Sequence, residues 1–254
     1  MNIVVMLAGS GKDFTKNGQI YPKLLTEING RSMIEIVLEG LKSLTILENN
    51  IIFMVDKLEC DRYYLGDVIK LILPESHVIT VGGETSGAAL TSLLAIEYID
   101  EEAPLVLING DQLLDYDESD CIEYFQQHDS DAGVIVFESY HPRWSYVKID
   151  DDGYVSEAAE KRPISNKATA GFYYYKKSSD YIKCAKSMIL KGADVGGIFY
   201  ICPVFNEMIL DQKKVLSYQI DSNKYHSFMS PEKVKQFESH GVFNHNDGMQ
   251  AYGS

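Results

Sequence analysis

Gly9 and Gly11 stand directly after a β-type run, Ile3 to Leu7, and Pro22-Lys23 follows, with Lys23 twelve residues beyond Gly11. Glycines lack a Cβ, so the chain can turn sharply there and bring its N–H groups against a phosphate, while Lys23 supplies a mobile positive charge. The chemistry indicated is phosphate handling. A GxG alone is a turn. Its specificity comes from Pro22-Lys23 at this distance, leading through Leu24-Leu25-Thr26-Glu27-Ile28 into Asn29-Gly30-Arg31-Ser32-Met33-Ile34. A second Gly-rich stretch, Gly82 to Ala89, follows the run Val78 to Val81, and Asp111 follows Leu105 to Ile108.

The elements that must position these residues alternate between strand-like and helix-like segments, the pattern of a sheet covered by helices. Ile3 to Leu7, Ile51 to Val55, Val78 to Val81, Leu105 to Ile108 and Val134 to Phe137 read as short buried strands. Met33, Ile34, Val37, Leu38, Leu41 and Leu44 recur at helical spacing and predict one amphipathic helix over 32–44. Leu90, Leu93, Leu94 and Tyr98 predict a second over 87–99 with those residues as its apolar face. Tyr146 to Ile149, a turn at Asp151-Asp152-Gly153, and Tyr154-Val155 read as a hairpin. Residues 178–190, 203–210 and 231–238 read as helices, Tyr173-Tyr174-Tyr175 as a strand with alternating faces, and the polar tail 239–254 is expected to be mobile. In open α/β sheets ligands bind beyond the carboxyl ends of the strands, so the Gly9 turn, Gly82-Gly83 and Asp111 should converge on one edge.

Composition bounds the function. The 254 residues, 45% hydrophobic, suffice for one domain with a full core. A formal charge of −14 argues against nucleic-acid and anionic-membrane partners, which need a basic face, and requires any triphosphate pocket to be locally positive. No apolar run is long enough to span a membrane, and the N-terminus enters a strand without a basic leader or cleavage site, so a cytoplasmic location is expected. Cys60, Cys121, Cys184 and Cys202 are scattered without a CxxC pair, and the histidines lack ligand spacing, so free thiols are expected and no zinc site.

From Met1 to about Glu238 the chain resembles the sugar-nucleotide pyrophosphorylases, nucleotidyltransferases whose first motif reads roughly GxGxR(F/L)…PK(P/Q)L…(V/I)xG(K/R)PMI. Gly82-Gly83-Glu84-Thr85-Ser86-Gly87-Ala88-Ala89 is similar to the family's second Gly-rich segment, Leu107-Ile108-Asn109-Gly110-Asp111-Gln112 to its metal-aspartate motif, Glu160-Lys161-Arg162-Pro163 to its EKP, and Ala170-Gly171-Phe172-Tyr173 to its (T/A)G(L/F)Y strand. The block His141-Pro142-Arg143-Trp144-Ser145-Tyr146-Val147-Lys148 resembles a branch associated with capsule and surface polysaccharide that includes cytidylyltransferases. The resemblance implies an α/β fold: a Rossmann-like three-layer α/β/α arrangement with a mixed, mostly parallel central sheet, the nucleotidyltransferase or GT-A-like fold. It implies a single domain over 1–238, with a nucleotide-binding half to about 135 and an acceptor-binding half from 136.

The implied reaction is attack of an acceptor phosphate on the α-phosphorus of a nucleoside triphosphate, with release of pyrophosphate. The attacking phosphate is already ionised at pH 7, so charge neutralisation and alignment are the main tasks. Lys23 is assigned to the α-phosphate and departing pyrophosphate, Asp111 to Mg²⁺ and Lys161 to the acceptor phosphate. The nucleotide is expected on Leu7, Ala8, Gly9, Ser10, Gly11 and Lys12, and on Gly82, Gly83, Ser86 and Gly87. The acceptor is expected at Gln112, Trp144, Tyr146, Glu160 and Gly171, although Trp144 and Tyr146 serve equally well as packing. CTP is the favoured triphosphate. The acceptor is a sugar 1-phosphate or a non-sugar phosphate such as phosphoglutamine. The sequence leaves a homo-oligomer open.

Two positions depart from the family pattern. Where relatives carry arginine after the first glycines, this chain has Asp13, preceded by Lys12. A carboxylate about 5 Å from a triphosphate oxygen costs on the order of 3 kcal/mol at an effective dielectric near 20, so either Lys12 compensates or Asp13 points away or toward a metal. Near the C-terminal end, where relatives place another metal aspartate, the comparable run is Tyr225 to Glu232 with Ser227 in it, leaving Asp221 as a second-metal candidate. Two other readings stand beside the transferase: a GT-A glycosyltransferase using Asp115-Tyr116-Asp117 as a DxD, and a non-catalytic nucleotide-binding relative, motivated by Asp13 and Ser227.

Overall fold

A computed structural model describes residues 1–9, 14, 21–45 and 49–239. In chain order the strands are β1 (Asn2–Met6), β2 (Glu27–Ile28), β3 (Arg31–Ser32), β4 (Asn50–Asp56), β5 (His77–Val81), β6 (Leu105–Asn109), β7 (Gln112–Leu114), β8 (Ala132–Glu138), β9 (Ser145–Ile149), β10 (Val155–Glu160), β11 (Lys167–Tyr175), β12 (Val215–Gln219) and β13 (Tyr225–Ser227). The main sheet is mixed. β6, β1, β4 and β5 lie side by side and parallel, with Val4 opposite both Leu107 and Ile52. β11 adds antiparallel to β6, and it pairs with both β8 and β9 across a register shift between Thr169 and Tyr173. β12 runs parallel to β8, and β13 leaves the sheet to pair antiparallel with β7.

Alternate residues of the central strands feed two cores, one on each face, because successive side chains of a strand point opposite ways. Ile3, Val5, Phe53, Val106, Ile108, Phe172 and Tyr174 face the helices Met33–Gly40, Leu65–Ile72 and Glu118–Gln127, whereas Val4, Ile52, Leu107, Tyr173 and Tyr175 face Ser178–Leu190 and Val204–Leu210. The result is the expected three-layer α/β/α arrangement. The four parallel strands end on one edge, so Leu7, Gly82 and Gly110-Asp111 do leave the sheet on the same side.

Two helices differ from the sequence reading. The single helix expected over 32–44 divides at Leu41 into Met33–Gly40 and Lys42–Thr45. Ser32 starts it with a reciprocal cap, its hydroxyl accepting from the Glu35 amide while the Glu35 carboxylate accepts from the Ser32 amide. Gly40 ends it, packed so closely that a Cβ there would lie 2.6 Å from Leu113 Cδ1. The second expected helix is Ala88–Leu93 followed by a short 3₁₀ turn, Ile96–Tyr98, and its buried residues are Ala89, Thr91, Ser92 and Ala95. Leu94 and Tyr98 are exposed. Small side chains form this interface at close range: Ala89 N–H donates to Phe199 O, and the Ser92 hydroxyl meets that of Tyr181.

The hairpin forms as read, with Asp150 Oδ1 accepting from the amides of Asp152 and Tyr154 around Gly153. The cysteines are free, three of them buried and Cys60 half-buried, and burial raises the pKa of every one, Cys184 to about 11. No helix among the described residues is long and apolar enough to cross a membrane.

Glu118 opens the helix Glu118–Gln127 yet is only 3% exposed, with the Ser43 hydroxyl 3.4 Å away as a donor. Burial pushes its carboxyl up to about 8 from 4.5. The folded chain therefore binds this proton more tightly than the unfolded one, and the stability it contributes is complete below about pH 4.5 and lost as the pH rises through about 8. Glu118→Gln is expected to match the wild type in melting temperature at pH 5 and to exceed it at pH 9, by on the order of 1–3 kcal/mol of stability. Thermal melts across this range check it; a difference that does not grow with pH would refute the assignment.

Candidate active site

Leu7 is anchored before the chain turns. Its amide donates to Met54 O at 2.9 Å, and Gly110 donates to Met6 O at 2.9 Å. Only glycine fits at 110, because a Cβ would stand 2.1 Å from Leu7 Cδ2 and 2.9 Å from Met6 O. This contact brings the ends of β1 and β6 together. Leu7 is buried, Ala8 half-buried and Gly9 exposed; Ser10, Gly11, Lys12 and Asp13 lie outside the described residues.

Pro22, with φ −63°, precedes a 3₁₀ turn over Lys23–Leu25 closed by Leu25 N–H donating to Pro22 O. The turn drives the Lys23 side chain inward. Lys23 is 8% exposed, its Nζ donates to Asp111 Oδ2 at 2.6 Å, and it stands 5.7 Å from the centre of the Phe14 ring. Asp111 is the more accessible partner, its side chain 31% exposed, and its backbone carbonyl accepts from Phe228 N–H at 2.7 Å. The structure thus joins the two leading sequence candidates in one ion pair. Glu59 adds a titratable neighbour: burial, then Asp56, raises its carboxyl to about 7, while Lys23 opposes the rise.

Gly82 and Gly83 are exposed beyond β5, and Gly83 has φ +77°. Ser86 and Gly87 are tied down: Phe199 N–H donates to Ser86 O at 2.7 Å, and a Cβ on Gly87, whose φ is +116°, would meet Phe199 O at 2.3 Å. Gly171 plays the same part across the sheet. It has φ +62°, sits in the register shift of β11, and would drive a Cβ to 2.4 Å from both Asn109 Nδ2 and Gln112 Oε1. Gln112 is buried between Gly171 O, to which its Nε2 donates at 3.2 Å, and the Tyr225 hydroxyl, which donates to its Oε1 at 3.3 Å. Burial, with the Asp111 charge second, pushes the Tyr225 phenol far above its ordinary value.

Lys161 stands apart from this pair. It is exposed, in the left-handed region at φ 52°, with Nζ donating to the Tyr200 hydroxyl at 2.7 Å and lying 4.9 Å from that ring's centre. The Tyr200 hydrogen bond raises its pKa. Its amide donates to Trp144 O at 3.0 Å. Glu160, in contrast, is buried against the Ser145 hydroxyl, and burial raises its carboxyl. Tyr146 is fully buried and packs in the core, its hydroxyl donating to His141 O at 2.7 Å, so it anchors a loop instead of lining a pocket. Trp144 does line one. It meets Phe137 and Tyr225 edge-on at 5.5 Å each on the wall of a cavity of about 580 Å³.

The residues fit a metal in one way only. Among the described residues no three His, Cys, Asp or Glu side chains gather at one point. The β13–β7 register sets Ser227 beside Gln112, while Asp221 is exposed at the start of the preceding turn, Ser222–Lys224. Asp221 is therefore not brought to Asp111. A single carboxylate suits Mg²⁺ when substrate phosphates supply the remaining oxygens. The DxD residues are engaged elsewhere: Asp115 pairs with Lys224 at 2.9 Å, and Asp117 caps the helix Glu118–Gln127, accepting from Ser119 N–H. Sequence reasoning missed Tyr200, Tyr225, Phe14 and Glu59. Of these, Phe14 and Tyr225 stood in runs compared with family motifs, Phe14 directly after Asp13 in the first motif, whereas Tyr200 and Glu59 did not.

A model of the nucleotidyl transferase family matches residues 3–193. The bifunctional protein GlmU of Methanocaldococcus jannaschii is 26% identical over 180 residues, 70% of this chain and 40% of that protein, so the chain spans less than half of that relative's length. The nucleoside-diphosphate-sugar pyrophosphorylase of Vibrio cholerae RC9 superposes with a TM-score of 0.81 at 22% identity over 94% of this chain and 100% of that one. A Bacillus anthracis protein assigned as a glucose-1-phosphate thymidylyltransferase, solved with a sucrose, gives 0.73 at 17% identity, covering 100% of this chain and 98% of that one. These two likenesses are of fold, and they agree with the mixed α/β/α sheet, whereas the family match extends over three quarters of the sequence, from β1 through the helix Ser178–Leu190: the chain belongs to the nucleotidyl transferase family.

Proposed function

We propose that the protein transfers a nucleoside monophosphate from a triphosphate to a phosphorylated acceptor and releases pyrophosphate. The observation that carries this reading is the Lys23–Asp111 pair at 2.6 Å, set at the carboxyl edge of the parallel strands beside Leu7 and Gly110. An acceptor phosphate oxygen attacks the α-phosphorus, and the bond from that phosphorus to the bridging oxygen breaks. The oxygen leaves on pyrophosphate. No proton need move, so alignment and charge neutralisation are what the protein supplies.

Lys23 is held almost out of water, where its charge acts most strongly on the α-phosphate and the leaving group. Asp111 would hold Mg²⁺ together with triphosphate oxygens, and the ion supplies neutralisation of their charge when bound. Lys161, exposed and held by Tyr200, receives the acceptor phosphate. In this reading the segment to about residue 135 serves the nucleotide and 136–238 the acceptor. The favoured triphosphate is CTP and the setting capsule or surface-polysaccharide precursor synthesis, both on the resemblance of 141–148. The acceptor is a sugar 1-phosphate or a non-sugar phosphate such as phosphoglutamine. Engagement of Asp115 and Asp117 in an ion pair and a helix cap weighs against the glycosyltransferase alternative.

A pyrophosphate-release screen of the common triphosphates against phosphorylated acceptors with Mg²⁺ tests the class; monosaccharide transfer from a nucleotide sugar without pyrophosphate would favour the glycosyltransferase. Lys23→Ala and Asp111→Asn are each expected to lower turnover by at least about a hundredfold with the fold retained, since each removes charge stabilisation of the transition state. Near-wild-type turnover in either variant overturns the mechanism. Lys161→Ala should raise the acceptor's KM far more than that of the triphosphate. Steady-state kinetics with each substrate varied in turn decides this, and equal effects on both contradict the division of labour.

A further inference from the structure

The cavity of about 580 Å³ is lined by Tyr225, whose phenol also feels the charge of Asp111. Its floor is aromatic. Phe137 and Tyr225 lie with ring centres 4.6 Å apart, and Trp144 stands edge-on to both. Its rim is cationic. Arg143, Lys224 and Lys233 all line it in a chain whose formal charge is −14. The single carboxylate on the wall, Asp115, is paired with Lys224. Arg143 lies over the Trp144 ring at 5.7 Å and donates to the His141 ring, and Lys233 Nζ donates to the neutral amide oxygen of Gln236 at 2.8 Å. Neither has a carboxylate partner among the described residues. Two cations without a carboxylate partner beside an aromatic wall could accept an anion from outside the chain.

Continuity with the reacting groups says what that anion belongs to. Tyr225 and Ser227 line the cavity, and both adjoin Gln112, the neighbour of Asp111: Tyr225 by its hydroxyl and Ser227 by its register in β13. On the other side, the Trp144 carbonyl holds the amide of Lys161. The cavity wall is thus tied through Gln112 to the neighbour of Asp111 and through the Trp144 carbonyl to the backbone of Lys161. The volume, within the range of about 300–1,000 Å³ typical of small-molecule sites, exceeds what a bare phosphate needs.

We propose that this cavity seats the remote end of the acceptor, and that the acceptor bears, besides its reacting phosphate, a second anionic group such as a carboxylate, recognised by Arg143 and Lys233 while its body packs on Trp144. The inference rests on the transferase reading above and narrows its acceptor to phosphorylated acids. An acceptor lacking the second charge leaves two cations unmatched and loses affinity at this end alone.

Trp144 is the only tryptophan, so intrinsic fluorescence reports on the cavity directly. The probes are glucuronic acid 1-phosphate and glucose 1-phosphate, alike except for one carboxylate. Each is titrated with Mg²⁺, with and without unreactive α,β-methylene analogues of the four ribonucleoside triphosphates. Expected is a saturable change of Trp144 emission, with the acid bound at least tenfold more tightly than the neutral sugar phosphate. In Arg143→Gln and in Lys233→Gln that preference should fall below threefold, while affinity for glucose 1-phosphate stays within twofold of wild type and so shows the fold intact. Equal affinity for the two probes, no saturable change with either, or a preference that survives both substitutions would overturn the proposal. Failure of the transferase reading is seen separately, as no pyrophosphate released from any triphosphate in the screen, and leaves the titration interpretable.

Discussion

The contact between Lys23 and Asp111 is the constraint around which the described structure is arranged. A lysine this deeply enclosed is tolerated because a carboxylate meets it, and the partly exposed side chain of Asp111 keeps the pair in touch with water. The pair forms only if the turn after Pro22 and the turn after β6 arrive at the same point. Backbone arranges that: Gly110 packs on Leu7, β1 and β6 run in register, and Phe228 fixes the Asp111 carbonyl from the opposite side. In the proposed reaction a triphosphate would offer the lysine a second anion and Mg²⁺ would offer the aspartate a second cation, so the ion pair and its substrates would share one chemistry.

Much of this was legible in the chain. Strand-like runs separated by helical periodicity gave the layered sheet, and motifs falling after strands gave the shared edge. The hairpin at Asp151-Asp152-Gly153 followed from turn chemistry, and the helix Ser178–Leu190 appeared within its actual bounds. Errors arose where close packing overrides hydrophobic size. Leu90, Leu93, Leu94 and Tyr98 have helical spacing, yet the segment turns Ala89, Ser92 and Ala95 inward, with Ala89 donating to the Phe199 carbonyl and Ser92 against the Tyr181 hydroxyl. At the break before Leu41, Gly40 lies against the Leu113 side chain with no room for a Cβ, a contact that helical spacing does not announce.

The candidate site was legible in its charges and illegible in its supports. Lys23, Asp111 and Lys161 sit in short motifs whose residue types announce their chemistry. Tyr200 and Tyr225 carry no such mark; 39 residues separate Lys161 from its hydroxyl partner and 113 separate Gln112 from the phenol that orients it. Such pairs depend on the folded path of β9 through β13, which local patterns do not specify. Asp221 illustrates the converse. Its residue type suits a metal, but the pairing of β13 with β7 delivers Ser227 to the neighbouring position.

The four thiols have a practical consequence. Burial raises the pKa of all four thiols, Cys184 to about 11, and so keeps each of them protonated more fully than an ordinary cysteine. Since the thiolate is the nucleophile, alkylating reagents meet a chain with little to attack, whereas a cysteine introduced on an exposed loop would keep an ordinary pKa of about 8.5. The natural sequence is therefore its own cysteine-light background, in which a dye or spin label placed beside the Trp144 cavity or the Gly83 turn would report from that single position.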